Sequence, residues 1–156
     1  MQTFPLDATE TRANFHHFMD IQIRWNDLDA YRHLNNARYM MLADVGRIDI
    51  FDTVIMHFLT HVGGFDLLDG PVVPFTVENL CRFHRPLAFP DVVEAGLRVA
   101  KLGNSSVRYE IGLFRAGDPA VCATGHFVDV FVDRVTSQPV PVPAPIRAHL
   151  ARAQVG

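Results

Sequence analysis

The chain has 156 residues, of which 49% are hydrophobic and 20% charged, and its formal net charge at pH 7 is -3. A chain of this length normally forms one domain, and this composition is typical of a folded globular protein. Its basic residues are dispersed, which argues against binding to a nucleic acid backbone. We find neither an apolar leader segment nor a run of about 18 apolar residues, and so predict a cytoplasmic protein that does not bind a membrane.

The first predicted elements are a strand and a helix. Apolar and polar side chains alternate over residues 18–25, which indicates a half-buried strand. A long amphipathic helix is predicted from Ala37 to about Thr60, and the pair Gly63-Gly64 is expected to cap it. A period of two then returns in three segments from Phe75 on, and a fourth segment, at 121–132, is apolar on both faces. Turn sequences such as KLGNSS and RAGDP separate these predicted strands.

One long helix has to bury its apolar face, so we predict an α+β fold in which a five- or six-stranded antiparallel sheet curls around it. The last four strands are expected to form a meander. A single domain spans residues 1–156, with its core at about 18–134 and a Pro-rich tail at 135–156 on the surface. We interpret the apolar strand at 121–132 as a sheet edge, whose unpaired backbone favours a homodimer.

Polar side chains are concentrated between the first strand and the helix, in the segment NDLDAYRHLNNARY at residues 26–39. The first turn of a helix leaves about four N–H groups without intrahelical partners and carries a partial positive charge, which stabilises an oxyanion. A polarised carbonyl group would therefore bind well at this place. On spacing alone, the same residues also fit a helix cap and a turn, with His33 facing solvent.

The string DLDAYRHLNNARYMMLADVGR resembles the signature segment of the hot-dog fold acyl-CoA thioesterases of the hydroxybenzoyl-CoA type. The residues that carry the resemblance are Asp27, Asp29, His33, Asn35, Asn36, Tyr39, Asp44 and Arg47. Later blocks, FHRPLAFPDVVEAGLRVAKLGNSSVRYEI and ATGHFVDVFVD, resemble the strands of that family, so the resemblance covers about residues 18–134. It implies a long central helix wrapped by an antiparallel sheet, and a dimer or dimer of dimers with active sites at the dimer interface.

By this resemblance, Asp29 is the catalytic carboxylate, which attacks the thioester carbonyl or activates water. Backbone N–H groups near Asn36, at the helix start, would hold the thioester oxygen. The other motif residues assigned to the site are His33 for catalysis and Asn35, Tyr39 and Asp44 for substrate binding. We expect neither a metal nor a resident cofactor, because coenzyme A enters as part of the substrate.

Three residues depart from the family's usual pattern. Arg32 stands where the motif usually has Gly, Phe83 where it usually has Tyr, and Asp44 where many members have Glu. The Arg32 change matters most, because a residue without glycine's conformational freedom must fit beside the catalytic turn. Its positive charge also favours the ionised form of Asp29, which we expect at neutral pH.

Further candidates lie on the later strands. Arg82 and Arg85, together with His84, form a small basic cluster that either contacts the phosphates of coenzyme A or faces solvent. Ser106 follows a Gly-Asn turn, where it either bonds locally or, as the resemblance implies, lies near the cofactor groove.

Two pairs of residues have a structural as well as a functional interpretation. Thr124 and His126 alternate onto one face of the last strand, where they line the acyl pocket of a partner subunit or pack within the sheet. His57 and His61 have the spacing of helical metal ligands, but no third ligand is evident, so we interpret them as structural.

Three functions therefore stay open. The first is hydrolysis of an acyl thioester of coenzyme A or of a carrier protein. The second is hydration or dehydration of an enoyl-CoA, with Asp29 and His33 transferring protons. The third is an acyl-CoA-binding module without turnover, which the presence of Arg32 keeps open.

Overall fold

The computed structural model describes residues 5–24, 32 and 50–155. The described elements are a 3-10 turn at Arg12–Asn14, strand β1 at His17–Gln22, helix α1 at Ile50–His57 with a π-helical turn at Phe58–Val62, strands β2 at Val72–Phe83, β3 at Val92–Leu102, β4 at Ser106–Arg115 and β5 at Val121–Asp133, and helix α2 at Ala144–Arg152. The first half of the predicted long helix lies outside the described residues, and α1 belongs to its second half.

The five strands form one sheet in the order β1-β3-β4-β5-β2. All its strand pairs are antiparallel, which agrees with the predicted α+β class. Strands β3, β4 and β5 are a meander, but β2 pairs with β5 at the far edge, so the prediction of a four-strand meander is wrong. The prediction that residues 121–132 form a sheet edge is also wrong, because β5 lies between β4 and β2. β5 is apolar on both sides because it is an inner strand whose two faces are both covered.

The inner face of the sheet, defined as the face that contacts α1, is the main core. Side chains alternate along each strand, so every second residue of β3 and β4 points to this face. The buried residues of these two strands are Val93, Ala95, Leu97 and Val99, and Val107, Tyr109, Ile111 and Leu113. Helix α1 and its π-helical turn contribute Ile50, Phe51, Val54, Ile55, Phe58 and Leu59. The alternation predicted from the sequence is therefore confirmed for β3 and β4.

The helix ends at the predicted glycine pair. The N–H of Gly63 donates to the carbonyl of Phe58 at 3.0 Å, which closes the π-helical turn. Gly64 then adopts a φ of +66°, a left-handed backbone that glycine enters without steric cost. The chain leaves the helix here and turns back towards β2.

The C-terminal tail packs against the same core. Its backbone is held by a hydrogen bond from the N–H of Val142 to the carbonyl of Asn104 at 2.8 Å. Ile146 and Leu150 of α2 are buried in the inner-face core. The core therefore includes tail residues beyond residue 134. In the residues that the structure describes, no helix is both long and apolar enough to cross a membrane.

The outer face of the sheet is covered by residues 5–16, which we call the N-terminal strap. The ring of Phe15 lies over Gly96 and Gly112, which face each other on β3 and β4. A Cβ atom on Gly112 would lie 2.7 Å from the Phe15 ring, and one on Gly96 would lie 3.0 Å from the Phe15 side chain. The two glycines therefore form a slot that a larger residue would close.

A buried ion cluster holds the strap to the sheet. Arg98 of β3 is fully buried, and its Nη2 lies 2.6 Å from Oε1 of Glu10 on the strap and 2.8 Å from Oε1 of Glu110 on β4. Its guanidinium also lies 4.7 Å from the centre of the Phe15 ring. Burial opposes the charged form of Glu10, but hydrogen bonds from Arg98 and Asn14 bring the pKa of this carboxyl below its ordinary value. Glu10 is therefore ionised at neutral pH and paired with Arg98.

Replacing Arg98 by Met should lower the free energy of unfolding by about 3–5 kcal/mol, because it leaves a buried Glu10 carboxylate without its partner. Urea unfolding monitored by circular dichroism measures this loss. The matched control is Arg108→Met, since Nη2 of Arg108 lies 3.5 Å from the other oxygen of Glu110 on a side chain that is 37% exposed. That change should cost less than about 1 kcal/mol. Equal losses in the two variants would contradict the role assigned to Arg98.

Candidate functional site

The predicted catalytic segment begins at one end of the sheet. The predicted site residues Asp29, His33, Asn35, Asn36, Tyr39 and Asp44 lie outside the described residues. Just before them, the N–H of Ile23 donates to the carbonyl of Asp91 at 3.1 Å, and Nε2 of Gln22 donates to the carbonyl of Pro90 at 3.0 Å. The segment therefore leaves the sheet beside the β2–β3 loop. We call this end of the sheet, where β1, β2 and β4 end and β3 and β5 begin, the loop end.

Arg32 is described within this segment. Its φ is +62° and its side chain is exposed. This left-handed backbone is the region that favours glycine, and a residue with a Cβ adopts it at a cost of roughly 1 kcal/mol. The position at which the resembled motif has glycine thus keeps a glycine-like backbone while carrying an exposed guanidinium.

Two of the predicted phosphate ligands lie at the loop end. Arg82 is exposed on the outer face of β2, opposite Thr124 of β5. The side chain of Arg85 is 56% exposed, and its Nη1 lies 3.7 Å from Oδ2 of Asp118, which is a weak ion pair. Between them, Nε2 of His84 lies 2.9 Å from the hydroxyl of Thr124. The structure therefore brings Arg82 and Arg85 to the end of the sheet at which the predicted catalytic segment begins.

The charge of His84 at the loop end depends on its burial, on Arg82 and on Asp7 of the strap. Burial lowers the pKa of His84, the nearby carboxylate of Asp7 opposes this shift, and the charge of Arg82 adds to it. Hydrogen bonds from Thr9 lower the pKa of Asp7, which is therefore ionised at neutral pH. His84 is accordingly neutral near pH 7, and the positive charge of the basic cluster belongs to Arg82 and Arg85.

Ser106 lies at the opposite end of the sheet. It pairs with Val130 of β5, whereas Arg82 pairs with Thr124. Six residues of strand separate these two positions on β5, which corresponds to about 20 Å. The carbonyl of Ser106 accepts a hydrogen bond from the N–H of Gly103 at 2.8 Å, as in a local turn. Within one chain, the structure does not bring Ser106 together with Arg82 and Arg85.

Thr124 and His126 belong to the outer face of the sheet. The hydroxyl of Thr124 contacts His84 and also lies 3.4 Å from the carbonyl of Leu6 on the strap. Nε2 of His126 lies 3.2 Å from Oε1 of Glu78 on β2. Both side chains are buried, and these contacts favour packing within the sheet over a place in an acyl pocket.

A polar group inside the core was not predicted. Asp129 of β5 is 1% exposed, and its Oδ1 accepts a hydrogen bond from the hydroxyl of Thr76 at 2.8 Å. Burial raises the pKa of Asp129, although the Thr76 bond opposes this. Nearby, burial and the charge of Asp129 raise the pKa of Tyr109. The available sequence signal was that Asp129 is the one carboxylate in the apolar run 121–132.

The comparisons with known proteins agree with this architecture. A family model described as "Thioesterase-like superfamily" matches residues 23–150. The solved structure of a protein from Pseudomonas aeruginosa strain PAO1 is 42% identical, covers 94% of this chain and 96% of that chain, and has a TM-score of 0.86. A comparison with curated proteins found no match.

Two solved structures of thioesterases are also similar. A gentisyl-coenzyme A thioesterase is 25% identical, covers 86% of this chain and 99% of that chain, and has a TM-score of 0.71. A 1,4-dihydroxy-2-naphthoyl-CoA thioesterase from Synechocystis is 12% identical, covers 86% of this chain and 94% of that chain, and has a TM-score of 0.73, which is a likeness of fold alone. Together with the five-stranded sheet and α1, these likenesses confirm the predicted hot-dog fold.

Proposed function

The chain belongs to the thioesterase-like superfamily and is a thioester hydrolase, and on that premise we propose that it cleaves an acyl-CoA to a free acid and coenzyme A. The observation that carries the proposal is the family match over residues 23–150, a range that contains every predicted site residue. The gentisyl-coenzyme A and 1,4-dihydroxy-2-naphthoyl-CoA thioesterases, which share the fold, support an acyl-CoA as the substrate.

In the proposed mechanism, Asp29 supplies the carboxylate and the start of the central helix supplies the oxyanion site. Backbone N–H groups near Asn36 hold the thioester oxygen as it gains negative charge. Asp29 either adds to the carbonyl carbon itself or takes a proton from the water that adds to it. In the first route the C–S bond breaks to leave an anhydride between the acyl group and Asp29, and water then hydrolyses this anhydride to the free acid and the Asp29 carboxylate. In the second route the oxygen of the added water becomes part of the acid as the C–S bond breaks. The thiolate of coenzyme A leaves in both routes and takes up a proton, from water in the first and from Asp29 in the second.

Replacing Asp29 by Asn should lower kcat for acyl-CoA hydrolysis by about 10²-fold or more, because an amide neither accepts the proton of water nor forms the acyl intermediate readily. Release of free thiol from acyl-CoA measures the rate. The control is Asp20→Asn, an exposed position on β1, which should leave the rate unchanged. Full activity of Asp29→Asn on every substrate that the wild type cleaves would overturn the role of Asp29.

We propose that the loop end holds the phosphates of coenzyme A. Arg82 and Arg85 are both exposed there, and the carboxylate paired with Arg85 is as far away as 3.7 Å, so this guanidinium is available to a ligand. Arginine pairs with phosphate through charge-assisted, often bidentate hydrogen bonds. His84 is neutral near pH 7 and adds no charge, because burial lowers its pKa.

Replacing Arg85 by Gln should raise KM for an acyl-CoA about 10-fold with little change in kcat, since it removes one charge-assisted contact to phosphate. The same variant should leave KM unchanged for the corresponding acyl-pantetheine, which has no phosphate. The control is Lys101→Gln, because Lys101 is exposed near the opposite end of β3. Equal changes in KM for the two substrates would show that Arg85 acts in another way.

We also propose that the protein is a homo-oligomer built on the edge strand β2. This strand of twelve residues pairs only with β5 in the described part of the chain. It exposes large apolar side chains on both faces, namely Phe75, Val77, Leu80 and Phe83. An unpaired edge with such side chains is typically covered by another chain.

Light scattering coupled to size-exclusion chromatography should give a mass of at least twice the 17.5 kDa of one chain. Leu80→Asp places a charge on the proposed interface, where the Leu80 side chain is 40% exposed, and should shift the protein towards monomers. Val135→Asp is the matched control, because Val135 is 91% exposed beyond the end of β5. A wild-type mass of one chain would exclude the oligomer.

A further inference from the structure

Three histidines form a stacked column between the edge strand β1 and the end of α1. The rings of His17 and His57 lie 5.1 Å apart at 26°, and those of His57 and His61 lie 4.4 Å apart at 17°. We call His17, His57 and His61 the histidine column. It joins the inner face of β1 to the last turn of α1 and to the π-helical turn that follows. None of these residues belongs to the proposed thioesterase site.

The hydrogen bond between His17 and His57 requires at least one neutral imidazole. Nε2 of His17 lies 3.0 Å from Nδ1 of His57, so one of these nitrogens must carry a proton and the other must accept it. Protonation of both rings would place two N–H groups against each other and break the bond. The adjacent His61 would add a third positive charge at stacking distance if all three rings were protonated.

Thr60 determines the direction of the hydrogen bond that His61 makes. Its hydroxyl has one proton, which it donates to the carbonyl of Met56 at 2.7 Å. The same oxygen lies 3.0 Å from Nδ1 of His61, and therefore accepts a hydrogen bond from that nitrogen. The column is thus anchored to the helix backbone through Thr60 at one end and reaches β1 through His17 at the other.

The surroundings of His17 and His57 oppose protonation of these two rings. Burial lowers the pKa of His17, and the neighbouring His57 and His16 lower it further. Burial likewise lowers the pKa of His57, with a contribution from His61. Phe58 packs edge-on against His17 at 5.2 Å and offers no charge.

Among the described residues, the aspartates on the elements next to the column do not pair with it. On β1, Asp20 alternates onto the face opposite His17. On the loop after α1, Asp66 accepts a hydrogen bond from the backbone of Asp69. In residues 5–24 and 50–155, no carboxylate acts electrostatically on His17 or His57. Beside the rings lies a cleft of about 240 Å³, lined mainly by Met19, Met56, Leu67 and the two helical histidines, through which water reaches them.

We propose that the histidine column is a pH-sensitive latch that fastens β1 to the end of α1 near neutral pH and releases it in mildly acidic solution. β1 is an edge strand that pairs only with β3 in the described sheet, and the latch adds a hydrogen-bonded attachment of β1 to α1. The strap leads directly into β1, and release of β1 would therefore loosen the covering of the outer face as well.

The direction of the effect follows from the lowered pKa values of His17 and His57. In the unfolded chain both histidines titrate near their ordinary value of about 6.5. Below that pH, the unfolded chain binds more protons than the folded one, so the free energy of unfolding falls as the pH falls. The stabilisation is complete above about pH 7 and is lost as the pH decreases through 6.5 and below.

The test uses the full chain and needs two measurements. First, NMR titration of the wild-type imidazoles should give midpoints below about 6.5 for His17 and His57. Second, we compare Tm at pH 7.5 and pH 5.0 for the wild type and for the double variant His17→Gln/His57→Asn. In this variant, side-chain amides stand near the positions of Nε2 of His17 and Nδ1 of His57 and preserve a hydrogen bond without titrating.

The wild type should lose at least about 3 °C more of its Tm between the two pH values than the double variant loses. His149→Gln, on the tail helix α2, is the control and should behave as the wild type. Ordinary or raised midpoints for both His17 and His57 would overturn the latch, and so would equal losses of Tm in the wild type and the double variant. If the double variant does not fold, the wild-type titration alone decides.

Discussion

Burial of strands β3, β4 and β5 on both faces is the constraint on which the rest of this structure depends. Helices α1 and α2 cover the inner face, and the strap covers the outer face. Covering the outer face places Arg98 in the interior, where it is tolerated because Glu10 and Glu110 pair with it. The strap is therefore a structural layer of the domain, fixed by an ion cluster and by the ring of Phe15.

This coverage determines where function can lie. With β3, β4 and β5 covered on both faces, the sheet of the described chain offers its loop end and the edge strand β2 to other molecules. The predicted catalytic segment starts at the loop end, where Arg82 and Arg85 are exposed. The edge strand presents exposed apolar side chains and pairs only with β5 in the described sheet. An anionic substrate would pair with the arginines at the loop end. A second subunit would cover the apolar side chains of the edge strand β2.

Much of this fold is predictable from the sequence, because alternation over β1, β3 and β4 and the glycines after α1 are local signals. The position of β2 in the sheet is not predictable from the sequence, because a period of two identifies a strand but not the strand with which it pairs. The same limit led to the wrong edge assignment of residues 121–132. The strap has no periodicity to reveal it, and its anchor on Arg98 depends on contacts between residues 88 positions apart. For the site, the motif around Asp29 predicts the chemistry from the sequence alone. The location of Arg82 and Arg85 at the end of the sheet where that motif begins is known only from the strand order and register of the structure.

The central claim is that this chain breaks the C–S bond of an acyl thioester. The measurement that tests it most directly is mass spectrometry of the products after the purified protein is incubated with a panel of short, long, aromatic and α,β-unsaturated acyl-CoAs. The account predicts free acid and free coenzyme A in equal amounts from at least one member. Intact acyl-CoA throughout, or an enoyl-CoA that gains the mass of one water while keeping its thioester, would contradict it.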